Sequence, residues 1–123
     1  MAGTNKALTL KNNQDFKNIY KRGKKLFPCS WVIVNFLYKE ELGVRIGWTL
    51  SRKVGNAVLR NKLKRWMRVF FKKYEFDQGL NFDLNIILIP QKEGFYKKIK
   101  HEEFKGVLER ICTKLSSKGN KKN

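Results

Sequence analysis

The run from Ser51 to Phe71, SRKVGNAVLRNKLKRWMRVFF, limits what this chain can fold into more than any other stretch. After Gly55 and Asn56 it continues without Gly or Pro as far as Gln78, so nothing in it interrupts a helix. At about 100° per residue, Leu59, Leu63, Trp66 and Phe70 fall in one apolar sector, with Met67 at its margin. Arg60, Lys64, Arg68 and Lys72 are spaced by four and stack as a ridge on the other side, flanked by Asn61 and Arg65. Asn56 reads as the N-cap. A helix divided in this way needs a core to receive one face and leaves a row of cations on the other.

From Val44 to Tyr74 there are ten basic residues and no Asp or Glu, although acidic residues occur on both sides of that window. Like charges at i,i+4 cost an isolated helix roughly a few tenths of a kcal/mol per pair. No carboxylate nearby in the chain offsets them, whereas a polyanion would. The helix start, with its free N–H groups and the positive end of its dipole, lies beside Arg52 and Lys53. Phosphate therefore suits both the start and the flank of this helix. The blander readings are a solvated basic face, a targeting tag and a membrane-surface helix. The one-sided charge count argues against the first. Against the last, the chain holds enough other apolar segments to bury the helix's apolar side.

At 123 residues the chain should form a single domain over 1–123, burying roughly two-thirds of its unfolded surface. Its net charge of +18 and pI near 10.2 point to nucleic acid, with acidic membranes as the rival. No apolar run reaches the length of a membrane span, and MAGTNKALTLKNN lacks an apolar signal core, so the expected location is cytoplasmic. Cys29 and Cys112 match no metal spacing, and His101 stands alone, so no metal site is expected; both cysteines are expected as thiols, with a structural disulfide as the alternative. No Ser/His/Asp, Cys/His or paired-carboxylate arrangement is evident, so no catalytic residue is expected.

Taken in order, Asn13 to Arg22 reads as a helix stopped by Gly23, with Phe16, Ile19 and Tyr20 on one face. Those aromatics suit either the core or the stacking of unpaired bases. Trp31 to Tyr38 reads as a strand with Val32, Val34, Phe36 and Tyr38 on one side and Trp31, Ile33, Asn35 and Leu37 on the other. Val44 to Ser51 reads as a second, antiparallel strand with a polar and small face of Arg45, Gly47, Thr49 and Ser51, where another backbone can approach. Asp83 to Ile89 is a strand ended by Pro90, Gln91 to Lys100 a polar loop, and Lys100 to Leu115 a helix carrying Phe104, Val107, Leu108, Ile111 and Leu115. Residues 1–7 and 116–123 read as disordered tails. The expected class is α+β, a small mixed sheet packed with helices in the order α-β-β, with room for a further strand, then α-β-α.

SRKVGNAVLRNKLKRWMR closely resembles the signature of the bacterial ribonuclease P protein subunit, which carries an Arg-Asn-Arg motif on a long helix. LKNNQDFKNIYKRG looks like that family's first helix, GVRIGWTLSRK like the strand leading into the motif, and DLNIILIP like its last strand. These segments cover most of residues 8–116 in the family's order and spacing. The resemblance implies a ribosomal-protein-S5-domain-2-like fold with a crossover through the basic helix. It implies a non-catalytic partner of a catalytic RNA that, with Mg²⁺ held mainly by the RNA and substrate, hydrolyses precursor tRNA to remove the 5′ leader. No membrane and no protein partner are implied.

By matching position, Arg52, Lys53, Arg60, Asn61, Lys62, Lys64, Arg65 and Arg68 would contact the catalytic RNA. Phe16, Lys17, Tyr20, Val34 and Phe36 would form the leader-binding cleft. Lys62 stands where the family usually has Arg, keeping the charge without the planar fork. Val34 stands at a position that is often aromatic, with Phe36 on the same side as its substitute. The rival readings are a helix for the major groove of DNA and a ribosomal or general RNA chaperone protein.

Overall fold

The computed structural model describes residues 4–41, 43–77 and 79–118. Its elements are β1 (Thr4–Lys6), β2 (Leu8–Thr9), α1 (Asn13–Arg22), β3 (Lys24–Cys29), β4 (Val32–Tyr38) and β5 (Gly43–Leu50), followed by a 3₁₀ turn at Arg52–Val54. Then come α2 (Ala57–Lys73), β6 (Glu75–Asp77), β7 (Asn81–Leu88), the single turn α3 (Phe95–Lys98) and α4 (His101–Lys118). Five strands form a mixed sheet in the order β2-β5-β7-β4-β3, and β1 pairs with β6 in a separate ribbon. This is the expected α+β class.

One pairing differs from expectation. β5 does not lie against β4, because β7 sits between them, antiparallel to β4 and parallel to β5. The physical reason is burial: five consecutive residues of β7, Phe82 to Ile86, are buried, so this strand takes the centre of the sheet. Parallel neighbours cannot be joined by a tight turn. The chain from β5 to β7 crosses over through α2.

Side chains alternate across a sheet, and the two faces here differ sharply. Val32, Val34 and Phe36 of β4, Leu84, Ile86 and Leu88 of β7, and Val44 and Ile46 of β5 are all buried in one core cluster with α2 and α4. The opposite face carries Ile33, Asn35, Leu37, Arg45, Gly47, Thr49, Asp83, Asn85 and Ile87, and α1 lies on it. Asn12 caps α1 by accepting from the Gln14 N–H at 2.8 Å. Gly23 follows α1 in an extended conformation, and only glycine fits there: a Cβ would stand 2.5 Å from Ile19 O and 2.6 Å from Phe36 O.

The buried stripe of α2 is Leu59, Leu63, Met67 and Phe71, with Trp66 and Phe70 only partly covered beside it. Met67 is therefore central to the packed stripe and not at its margin. The expected apolar residues of α4 are all buried, and the helix runs on to Lys118 through the start of the segment expected to be disordered. Thr4–Lys6 likewise forms β1, because β6 offers its backbone a partner. Residues 1–3 and 119–123 lie outside the described residues. Phe95 and Tyr96, in the segment expected as a loop, pack on Trp31 at 5.9 and 6.0 Å. Cys29 and Cys112 are free thiols, and burial pushes that of Cys112 up to about 12.

Candidate nucleic-acid interface

Two surfaces hold the residues singled out from the sequence, on opposite faces of the sheet. The first is α2 and its approach. Asn56 Oδ1 accepts from Leu59 N–H at 2.9 Å, capping the helix as expected. Ser51 caps the preceding 3₁₀ turn, which leaves Arg52 and Lys53 exposed. Because the buried stripe is centred on Leu63 and Met67, the outermost face of α2 is that of Asn61, Arg65 and Arg68, all exposed. Val58, Asn61, Lys62, Arg65 and Arg68 line an open depression of about 600 Å³ there. Arg60 and Lys64 lie nearer the sheet and are half-buried. The Arg60 guanidinium donates through Nε to Gly55 O at 3.0 Å and so braces the turn into the helix. Lys62 Nζ stands 4.9 Å from the centroid of Trp66. From Ala57 to Lys73 the helix bears no carboxylate to neutralise this charge.

The second surface is α1 together with the sheet face on which it packs, the expected cleft. Its seat is Gly47: a Cβ there would come closer than 3.0 Å to Cζ and Cε1 of Phe16, so only a missing side chain lets that ring rest on the strand. The polar and small face of β5 thus admits an aromatic ring, where the approach of another backbone was expected. Ile19 anchors α1 at 1% exposure, while Tyr20 is 71% exposed and Lys17 is also exposed. Lys25 Nζ lies 6.0 Å from the Tyr20 ring centroid.

The cleft floor is polar. Asp83 receives Arg45 Nη2 at 2.6 Å, Arg45 Nε at 2.9 Å and Lys39 Nζ at 3.0 Å, and Arg45 also reaches Asp15 at 3.4 Å. Burial alone would push the Asp83 carboxyl up, but Arg45 and Lys39 outweigh it and hold the group below the usual carboxylate value. Thr49 Oγ1 donates to Asn85 Oδ1 at 3.0 Å. Across β7 from Thr49's strand, Asn35 is 3% exposed and its Oδ1 has no hydrogen-bond partner.

Two expected cleft residues belong elsewhere. Val34 (0% exposed) and Phe36 (3%) point into the main core, opposite Ile86 and Leu84, on the face away from α1. Both sides of β4 are largely apolar, so alternation in the sequence could not tell which side met the core. The residues of β4 that do face the cleft are Ile33, Asn35 and Leu37. Their signal was present one position out of phase, in polar Asn35 and in Asp83 and Asn85, which break otherwise apolar strands. Among the described residues no group of three or more His, Cys, Asp or Glu stands together, and the Asp83 carboxylate is held by Arg45 and Lys39.

A family model described as Ribonuclease P matches residues 4–116. The chain belongs to the ribonuclease P protein family. The ribonuclease P protein component of Finegoldia magna is 33% identical over 115 residues, covering 92% of this chain and 95% of the relative. That of Macrococcus caseolyticus is 40% identical over 88 residues, covering 72% and 76%. Among solved structures, the RNase P protein of Staphylococcus aureus superposes with a TM-score of 0.69 at 29% identity, over 94% of this chain and 100% of that one. The RNase P protein of Thermotoga maritima gives 0.70 at 27% identity, over 86% and 96%. As a ribonuclease P protein component the chain has a role in tRNA processing, in a ribonuclease complex with an RNA partner. No helix among its described residues is long and apolar enough to cross a membrane.

Proposed function

We propose that this chain is the RNA-docking and substrate-holding subunit of a cytoplasmic ribonuclease P whose partner RNA carries the catalysis. α2 and its approach bind that RNA through Arg52, Lys53, Lys62, Lys64, Arg65 and Arg68, with Asn61 as a hydrogen-bonding group and Arg60 shared between the RNA and its own loop. The cleft under α1 takes the single-stranded 5′ leader of precursor tRNA. Phe16 and Tyr20 offer faces to unpaired bases, Lys17 answers the phosphates, and the exposed Thr49 supplies a polar contact beside them. Mg²⁺ supports hydrolysis of the phosphodiester bond from positions on the RNA and substrate.

The observation that carries this reading is the exposed face of α2, where Asn61, Arg65 and Arg68 stand clear of the sheet with no acidic residue along the helix. The test is reconstitution with the catalytic RNA of the same organism, followed by 5′-leader cleavage at low Mg²⁺. The protein should raise the rate and bind with a log–log salt slope of about −0.7 for each single-strand phosphate neutralised. No stimulation and a flat salt plot would overturn the proposal. Preference for a DNA duplex would favour the major-groove reading, and RNA binding without cleavage the chaperone reading.

A further inference from the structure

Between α2 and α4 lies a groove of about 280 Å³ that neither surface above includes. Trp66, Phe70 and Tyr74 form one wall, His101 contributes from α4, and the exposed Lys73 and Lys105 also line it, the remaining lining residues being apolar. Among the described residues no acidic side chain lines it. Its wall is ordered aromatic surface: Phe70 stacks on Tyr74 at 5.5 Å with planes 20° apart, and Trp66 meets His101 at 4.8 Å. The volume sits at the lower edge of the roughly 300–1,000 Å³ common for small-ligand pockets. It suits one flat heteroaromatic ring and is too small for a helix or a peptide strand.

The groove is continuous with the basic face of α2, because Lys62, which lines the outer depression, stands over the Trp66 ring. Aromatic rings next to ammonium groups match the two halves of a nucleotide, a π-face and a phosphate. We infer that this groove receives one unpaired nucleotide of the RNA lying along α2, with its base against Trp66 and Phe70 and its phosphate between Lys73 and Lys105. The inference rests on the proposed docking of RNA on α2. It adds a base-reading pocket to a surface otherwise made of charge.

The test has two arms on the full chain. In the first, AMP, CMP and inorganic phosphate are titrated while the indole N–H and His101 ring signals are followed by NMR. AMP should move the Trp66 and His101 signals, CMP should move them less, and the signal of buried Trp31 should stay. No movement at Trp66 with AMP, or equal movement with phosphate alone, overturns the pocket. In the second arm, Trp66→Leu and His101→Ala should each weaken binding of the catalytic RNA, by about 5- to 150-fold at most, the range one stacked base spans, with the salt slope unchanged. Lys105→Gln should instead lower that slope. His101 is exposed, so His101→Ala keeps the test valid if Trp66→Leu disturbs folding. Unchanged RNA affinity in His101→Ala and Trp66→Leu overturns the inference. If the unmodified chain bound no catalytic RNA, the docking on α2 would fail, a result separate from the AMP titration.

Discussion

Gly47→Ala is the smallest change that connects the sheet to the cleft. The new Cβ would stand closer than 3.0 Å to Cζ and Cε1 of Phe16 and 3.3 Å from Leu10 Cβ. Carbon atoms in contact settle at about 3.5–4.0 Å, so the ring must retreat by roughly 1 Å. Overpacking of this kind costs typically about 1–3 kcal/mol. Phe16 meets the new atom with the far end of its ring and is only half-buried, so it can swing outward and the cost belongs at the low end. That predicts a fall in melting temperature of roughly 3–8 °C. The functional loss should be larger in proportion, because a base stacked on a well-placed ring is worth about 1–3 kcal/mol. Precursor tRNA binding should weaken about 5- to 150-fold while mature tRNA binding holds, since only the precursor carries a leader. The decisive assay is a double-mutant cycle with Phe16→Ala. Once the ring is gone, Gly47→Ala should be neutral or slightly stabilising, because alanine replaces a flexible glycine in a strand. Full additivity of the two changes, in stability and in precursor affinity, would refute the seating of Phe16 on Gly47.

Two further outcomes follow from the packing. Asp83→Asn should destabilise the fold by about 2–3 kcal/mol in urea unfolding, below the roughly 3–5 kcal/mol typical of fully buried pairs because Arg45 keeps a third of its side chain in water. Asp83 has a lowered pKa in the fold, so its contribution is fully present above the unfolded value near 4 and is lost as pH falls through the lower folded value; the variant should lack that part of the acid sensitivity. Leu63→Ala, at a site with 0% exposure, should cost about 2–5 kcal/mol, while Val58→Ala, at 79% exposure, should stay within about 0.5 kcal/mol. Equal costs at those two positions would show that the buried stripe of α2 is misplaced.

The helices were legible before the fold because their signals are local. Asn56 caps α2, Gly23 stops α1, and Phe104, Val107, Leu108, Ile111 and Leu115 mark the buried side of α4. The basic surface was legible for the same reason, since an acid-free helix with one apolar stripe must turn its cations outward. Its phase was read one stripe off: Trp66 and Phe70 are large and apolar, yet they border the groove against α4 while Met67 and Phe71 fill the core.

The sequence by itself determined the three longer helices, the strongest strands, the α+β class and the sign of the partner's charge, all of which follow from residues within a few turns of one another. Only the tertiary structure decided which strands pair and which face of β4 meets the core. β7 enters between β4 and β5 from more than thirty residues beyond β5's start, and no local pattern encodes that insertion. Val34 and Phe36 then face α2 and α4 because that side of β7 is Leu84, Ile86 and Leu88, while Asn35 falls beside Asn85 under α1. Strand pairing matches whole faces across the sheet. A strand that is apolar on both sides learns its orientation only from its neighbours.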